Sequence, residues 1–412
     1  MRTTSIALIR KLKSSIALSG YGRSVAPGFV ILALLYPIWY GFALFVPEIG
    51  RATSWSRGAV SGALAILLVT HALASAFAGR ACDRIGVRKT IRIGGVLLGL
   101  GLILSSRSQA PLHFYFGYGV LGGLGLCMGG WVPVVSAINQ SVDRRLVGTA
   151  TGIAATGIGL GLLITAPLLQ WAITRWGWRL TLRAEGVIIF LCVQLVASFL
   201  RGGRSSQNRP SQDGESGSEV PIIRLADFWV LLATFFSFSF SFQLVQAHQV
   251  AYLLGAQWTP MAAASVLAIV AALSLPGKPL LGILSDRFGS HRVYSAGAVC
   301  LIGAIVVLLR LGSNPNWTVG FGVYTFLFSI AYCVIAPVYS SLATHHFGRL
   351  VNYSSVFGTL MTGSGLGSAL GVYGGGLVFD STGNYATAFI FAGFVAFLSI
   401  PTMYAASQIN RP

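Results

Sequence analysis

Lys278 stands in an otherwise apolar stretch, between Gly277 and Pro279 and eight residues before Asp286. At 1.5 Å per helical residue that is about 12 Å from a helix end. A charge inside a bilayer costs roughly 2.5–3.5 kcal/mol on insertion scales, so its presence asks for a use. A lone cation in low-dielectric surroundings is a site for an anion such as a carboxylate. The competing reading is a side chain that snorkels to the interface. The proline and glycine beside it are expected to break the helix and free carbonyls. His248 adds an imidazole, able to bind an anion or hold a proton near neutral pH; His71 shares that ambiguity. Glu185 is expected to pair with Arg179 or Arg183. Tyr324, Phe328 and Tyr332 repeat at i, i+4 and i+8, forming one helical stripe. Tyr36 with Tyr40, and Tyr115 with Tyr118, offer further hydroxyls. Such tyrosines either line an anion pocket or simply pack.

A second pattern occurs twice. Gly79-Arg-Ala-Cys-Asp83-Arg84-Ile-Gly86-Val-Arg88-Lys89 matches Gly282-Ile-Leu-Ser-Asp286-Arg287-Phe-Gly289-Ser-His-Arg292 at an offset of 203 residues. The glycines permit close helix approach and a tight turn. Each Asp can face a helix N-terminus or pair with an arginine across the bundle.

These residues need a scaffold, and composition names its solvent. Of 412 residues 54% are hydrophobic and 9% charged, with a mean hydropathy of +0.74. A soluble surface needs about 25% charged residues. Lipid is therefore the solvent for most of this chain, which excludes a soluble domain. Twelve apolar runs are long enough to span: 26–46, 57–79, 92–107, 112–138, 147–172, 181–200, 227–253, 262–285, 293–310, 316–342, 353–378 and 384–405. The expected fold is an all-α membrane protein of twelve transmembrane helices in two pseudo-symmetric six-helix bundles. Its parts are a basic tail (1–25), a first bundle (26–200), a polar connector (201–226), a second bundle (227–405) and a short tail (406–412).

With both termini in the cytoplasm, 20 Lys and Arg fall on the cytoplasmic side, seven outside, and Lys278 within a span. That asymmetry sets the orientation and accounts for most of the +18 net charge without nucleic acid. The five cysteines are scattered and odd in number, and no CxxC or Cys/His cluster stands in the sequence, so neither a disulfide framework nor a metal site is expected. No P-loop and no catalytic constellation is present, so neither an ATP-driven pump nor an enzyme is expected, and no cofactor.

The doubled motif, the twelve runs and the central connector resemble the major facilitator superfamily across the whole chain. Within it, several fragments resemble the bacterial monocarboxylate-transporter-like and oxalate/formate exchanger-like branch: Trp55-Ser56-Arg57, Asp143-Arg144-Arg145, Trp176-Gly177-Trp178-Arg179, Asp227-Phe228-Trp229, Phe347-Gly348-Arg349 and Phe379-Asp380-Ser381-Thr382-Gly383-Asn384-Tyr385. Ser141-Val142-Asp143 departs from that group's Trp-Phe-Asp, and Thr165-Ala166-Pro167 replaces the antiporter ending of span 5. The resemblance implies a cytoplasmic gate built on Asp83, Arg84, Arg88, Asp286, Arg287 and Arg144. It implies a cavity lined by spans 1, 4, 7 and 10, hence by Tyr36, Tyr118, Tyr324, Phe328 and Tyr332. It places the substrate-binding cation of span 8 at Lys278, where relatives carry arginine, and a histidine at His248. Animal members carry an acid one turn before that cation, where Ser274 stands, and a lysine in span 1, which has none here. The proton is then left to His248 or Lys278. The expected protein is a monomeric secondary transporter of the inner (plasma) membrane, moving a small organic monocarboxylate with a proton. Exchange of dicarboxylates, or a non-transporting sensor, are the alternatives.

Overall fold

The computed structural model describes residues 24–55, 57–200, 226–315, 317–348, 350 and 352–409. Most of the N-terminal tail and connector, and the last three residues, lie outside them. Every described regular element is helical. Span 1 runs Ala26–Leu35 and resumes as Pro37–Tyr40, interrupted because Pro37 has no N–H to donate. Spans 2 and 3 are Arg57–Ile85 and Val87–Ser105. Span 3 starts ahead of its apolar run, since Arg88, Lys89 and Arg92 form its first turns outside the hydrocarbon. Span 4, Pro111–Ser141, contains a π-helical stretch at Tyr115–Leu121.

Spans 5 and 6 share one helical run, Val147–Phe199, broken at Gly177. Gly177 has φ 76° and ψ 161°, a region essentially closed to residues with a Cβ. Gly177→Ala should cost about 1–3 kcal/mol and lower the melting temperature of the detergent-solubilised protein by a few degrees. An unchanged melting curve would mean that the turn relaxes without cost.

Spans 7, 8 and 9 are Ala226–Gly255, Pro260–Phe288 and Ser290–Ser313; spans 10, 11 and 12 are Thr318–Phe347, Tyr353–Thr382 and Tyr385–Ile409. Eight described segments are long and apolar enough to cross a bilayer unaided, and one of them, Arg144–Phe199, holds both spans 5 and 6. Spans 1, 3 and 11 fall outside that set, being shortened by Pro37, charged at the start, or rich in Gly and Ser.

Each half has its own apolar core, one from spans 1–6 and one from spans 7–12 that Val132 and Val135 of span 4 join. Leu163, Trp171, Leu195, Val319 and Phe394 point outward, exposed, as an apolar belt in contact with lipid requires. The pairings repeat between halves: span 1 packs on 5 as 7 packs on 11, and span 3 packs on 6 as 9 packs on 12. The halves meet through span 2 against span 11 and span 5 against span 8. At these crossings the motif glycines have a steric duty. A Cβ on Gly79 would strike the Ser354 carbonyl, and one on Gly282 the Gly148 carbonyl.

Candidate functional site

The doubled motif does the same thing twice, crosswise. Asp286, ending span 8, accepts hydrogen bonds from Gly148 N (2.9 Å), Thr149 N (2.6 Å) and Thr149 Oγ1 (2.6 Å) at the start of span 5. Asp83, ending span 2, accepts them from Ser354 N (3.3 Å), Ser355 N (2.7 Å) and Ser355 Oγ (2.6 Å) at the start of span 11. Neither span 5 nor span 11 has a side-chain cap of its own. Their first N–H groups would otherwise be orphans, and each carboxylate from the opposite half also meets the positive end of a helix dipole. Of the two partners open to each Asp in the sequence, the helix N-terminus is met by both. Arg144 adds a third crossing bond, donating to the Gly348 carbonyl at 3.0 Å. Nearer the bundle centre, the hydroxyls of Thr151 and Ser340 meet at 2.7 Å. The halves are thus closed on each other at the motif end. Arg88 works within the first half, donating to the Leu200 carbonyl at the end of span 6. Arg84 and Arg287 are exposed, the latter against the Phe288 ring.

Above this closure lies Lys278. It is 4% exposed, and its ammonium sits 4.7 Å over the Tyr332 ring, within cation–π range. Tyr40 and Cys333 lie near it, and no carboxylate forms an ion pair with it among the described residues. Tyr40 stacks on Trp39 and is 43% exposed. Tyr36 is buried beside it, and His71 meets Trp39 edge-on at 5.4 Å. The break at Pro37 is what sets Tyr36, Trp39 and Tyr40 into this one stack. Span 8 does not break at Lys278. The helix continues through Pro276 and Pro279, held against span 5 where Gly152 admits the Lys278 carbonyl.

Other residues of the sequence reading face elsewhere. Tyr118 donates to the Ile38 carbonyl at 2.6 Å, with its ring on Phe42 and Phe114. Tyr324 donates to Gln249, and Phe328 stacks on Phe242; both are wholly buried. Of the span 10 stripe, Tyr332 alone meets Lys278. His248 is bonded to the Val372 carbonyl at 3.0 Å and stacks on Tyr385, facing spans 11 and 12. Arg179 donates to the Ser106 and Ser108 carbonyls and Arg183 to the Ser106 hydroxyl, so neither forms the expected pair with Glu185. Cys333 and Trp39 join the pocket without having been singled out. Their types carry no functional signal, and only the helix rotation reveals them. The fold also gathers His291, His345 and His346, a cluster that the sequence order conceals.

A two-fold repeated bundle, latched crosswise by its repeated motif around a central buried cation, has known relatives. Residues 28–348, and again 251–408, match the family described as Major Facilitator Superfamily. The chain belongs to the major facilitator superfamily. It is a multi-pass membrane transporter and not an enzyme. Monocarboxylate transporter 13 of Bos taurus is 26% identical over 377 residues, covering 91% of this chain and 86% of that one. The MFS-type transporter YhjX of Escherichia coli (strain K12) is 26% identical over 342 residues, covering 80% and 81%. Among solved structures, the proton:xylose symporter XylE superposes with a TM-score of 0.72 at 12% identity, covering 94% of this chain and 95% of that one. FucP in the outward conformation gives 0.71 at 17%, covering 93% and 99%.

Proposed function

We propose that this transporter carries a small organic monocarboxylate together with a proton, by alternating access across the plasma (inner) membrane. The observation that carries the reading is Lys278: a buried ammonium with which no described carboxylate pairs. An uncompensated buried charge is costly, and an arriving carboxylate relieves it. The rings of Tyr332 and Tyr40 suit the apolar part of a small acid, and the Tyr40 hydroxyl can donate to its oxygens. The monocarboxylate transporters among its relatives favour the same substrate class. Lysine is a point charge without the arginine fork, so it accepts a carboxylate with loose geometric demands.

Of the two coupling candidates, His248 faces spans 11 and 12, so we assign the proton to Lys278. A proton and a carboxylate that meet there add no net charge to the moving protein. We place the motif end in the cytoplasm, from the excess of Lys and Arg there, and read Asp83, Asp286 and Arg144 as the gate that closes it.

The test is uptake of labelled lactate, pyruvate and acetate into proteoliposomes, with and without an inward proton gradient. Gradient-driven accumulation of at least one is the expected result. Uptake that ignores the gradient but is stimulated by internal anion would replace symport with exchange. No accumulation of any of the three by folded protein would overturn the assignment to small monocarboxylates.

A further inference from the structure

Away from the central pocket, three histidines converge at the motif end of the second half. His291 lies at the start of span 9, while His345 and His346 lie at the end of span 10. Their ligand nitrogens all fall within 4.8 Å of one another. The rings are not stacked: His291 meets His345 at 89° and His346 at 69°, with centroids 5.6 and 5.2 Å away.

Two neighbours make the group more than an accident of packing. At the start of span 7, the Asp227 carboxylate takes His346 Nδ1 at 3.1 Å. A carboxylate on that nitrogen keeps the proton there and leaves the Nε2 lone pair as the ligand, the usual support behind a metal-binding imidazole. From span 12, Met403 brings its Sδ to 3.2 Å from His291 Nδ1, a soft donor beside the nitrogens. His345 is exposed and gives an ion a way in, whereas the His346 side chain is wholly covered.

We propose that His291, His345 and His346 form a binding site for a late transition metal ion, with Asp227 orienting His346 and Met403 beside the fourth position. Three imidazoles with a fourth position open or filled by sulfur suit Zn²⁺, and the thioether extends the same donor class to Cu⁺. Hard cations such as Mg²⁺ and Ca²⁺ want oxygen ligands, and the cluster offers them no such set. The ion would join spans 9 and 10 two residues before Gly348, whose carbonyl receives Arg144. Binding there braces the receiving side of the gate. The site is independent of what the central pocket carries.

The experiment uses the full chain, purified through a tag that contains no histidine. Titration with Zn²⁺ by calorimetry should show one ion per chain and raise the melting temperature. Co²⁺ should give the intense visible bands of a tetrahedral site. His345→Ala, at an exposed position where folding is not at stake, should abolish that binding. Asp227→Asn should weaken it by about 10- to 100-fold. Stoichiometric Cu⁺ binding that His345→Ala removes, with Zn²⁺ silent, would equally support the site and make Met403 a ligand. The proposal is overturned if wild-type protein binds none of the three ions. It is also overturned if His345→Ala and His291→Ala, both folded by their melting curves, bind as the wild type does.

Discussion

Lys278→Ala is expected to abolish uptake while leaving the amount of folded protein in the membrane unchanged. The ammonium is buried against Tyr332 and no described carboxylate pairs with it, so its removal strands no described ion-pair partner inside the chain. It strands the substrate instead. Removing one member of a buried charge pair costs about 3–5 kcal/mol. At roughly 1.4 kcal/mol per tenfold, that is a loss of about 100- to 1,000-fold in transport at subsaturating substrate. Initial rates in proteoliposomes at matched protein density, with melting curves beside them, separate this outcome from misfolding. If the variant takes up substrate at the normal rate, the anion site is elsewhere and Lys278 is structural. Lys278→Arg sharpens the test, because guanidinium keeps the charge and does not give up its proton. It should bind substrate yet uncouple transport from the proton gradient.

The second large effect is expected at the crosswise latch. Asp286→Ala removes three hydrogen bonds to Gly148 and Thr149 and leaves the start of span 5 without a cap. Hydrogen bonds to a charged group are worth about 1.5–3 kcal/mol each, and the helix dipole adds about 0.3–1 kcal/mol. Water replaces part of this once the halves separate. A net loss of even 1.4 kcal/mol moves the balance between closed and open motif ends tenfold. Spin labels at exposed Arg145 and Arg287, one on each half, should report a population at longer distance that is minor in the wild type. Asp83→Ala should produce the same shift through Ser354 and Ser355, because the two latches are copies. If the distance distributions of both variants match the wild type, the motif is a topological anchor and the closure is held by helix packing alone.

The contrast between these two sites shows what kind of information a membrane sequence holds. Lys278 is conspicuous because charge in an apolar run is rare, whatever surrounds it. The Asp83 and Asp286 loops are conspicuous because they recur at a fixed offset. By contrast, Tyr118, Tyr324 and Tyr332 look alike in the sequence, each a tyrosine on a span expected to line the cavity. The fold spends the hydroxyls of the first two on Ile38 and Gln249 and sets only the ring of the third at the cation. His248 likewise turns to Val372 and Tyr385, and His291 comes together with the His345–His346 pair more than fifty residues further along the chain.

Hydropathy, spacing and internal repetition by themselves determined the apolar runs, the doubled motif and the lone cation within a span. These are local properties: a span forms because its own backbone must satisfy its hydrogen bonds in lipid, with no help from its neighbours. Which way each helix is turned was decided only by the tertiary structure. A soluble helix announces its buried face through a polar opposite face, but a spanning helix is apolar all round, so periodicity does not separate lipid from protein. Rotation is then chosen by close packing, by glycines such as Gly79 and Gly282 that admit a facing backbone, and by the few polar groups that must find partners. That choice is what sets Tyr40 and Tyr332 beside Lys278, and Asp227 beside His346.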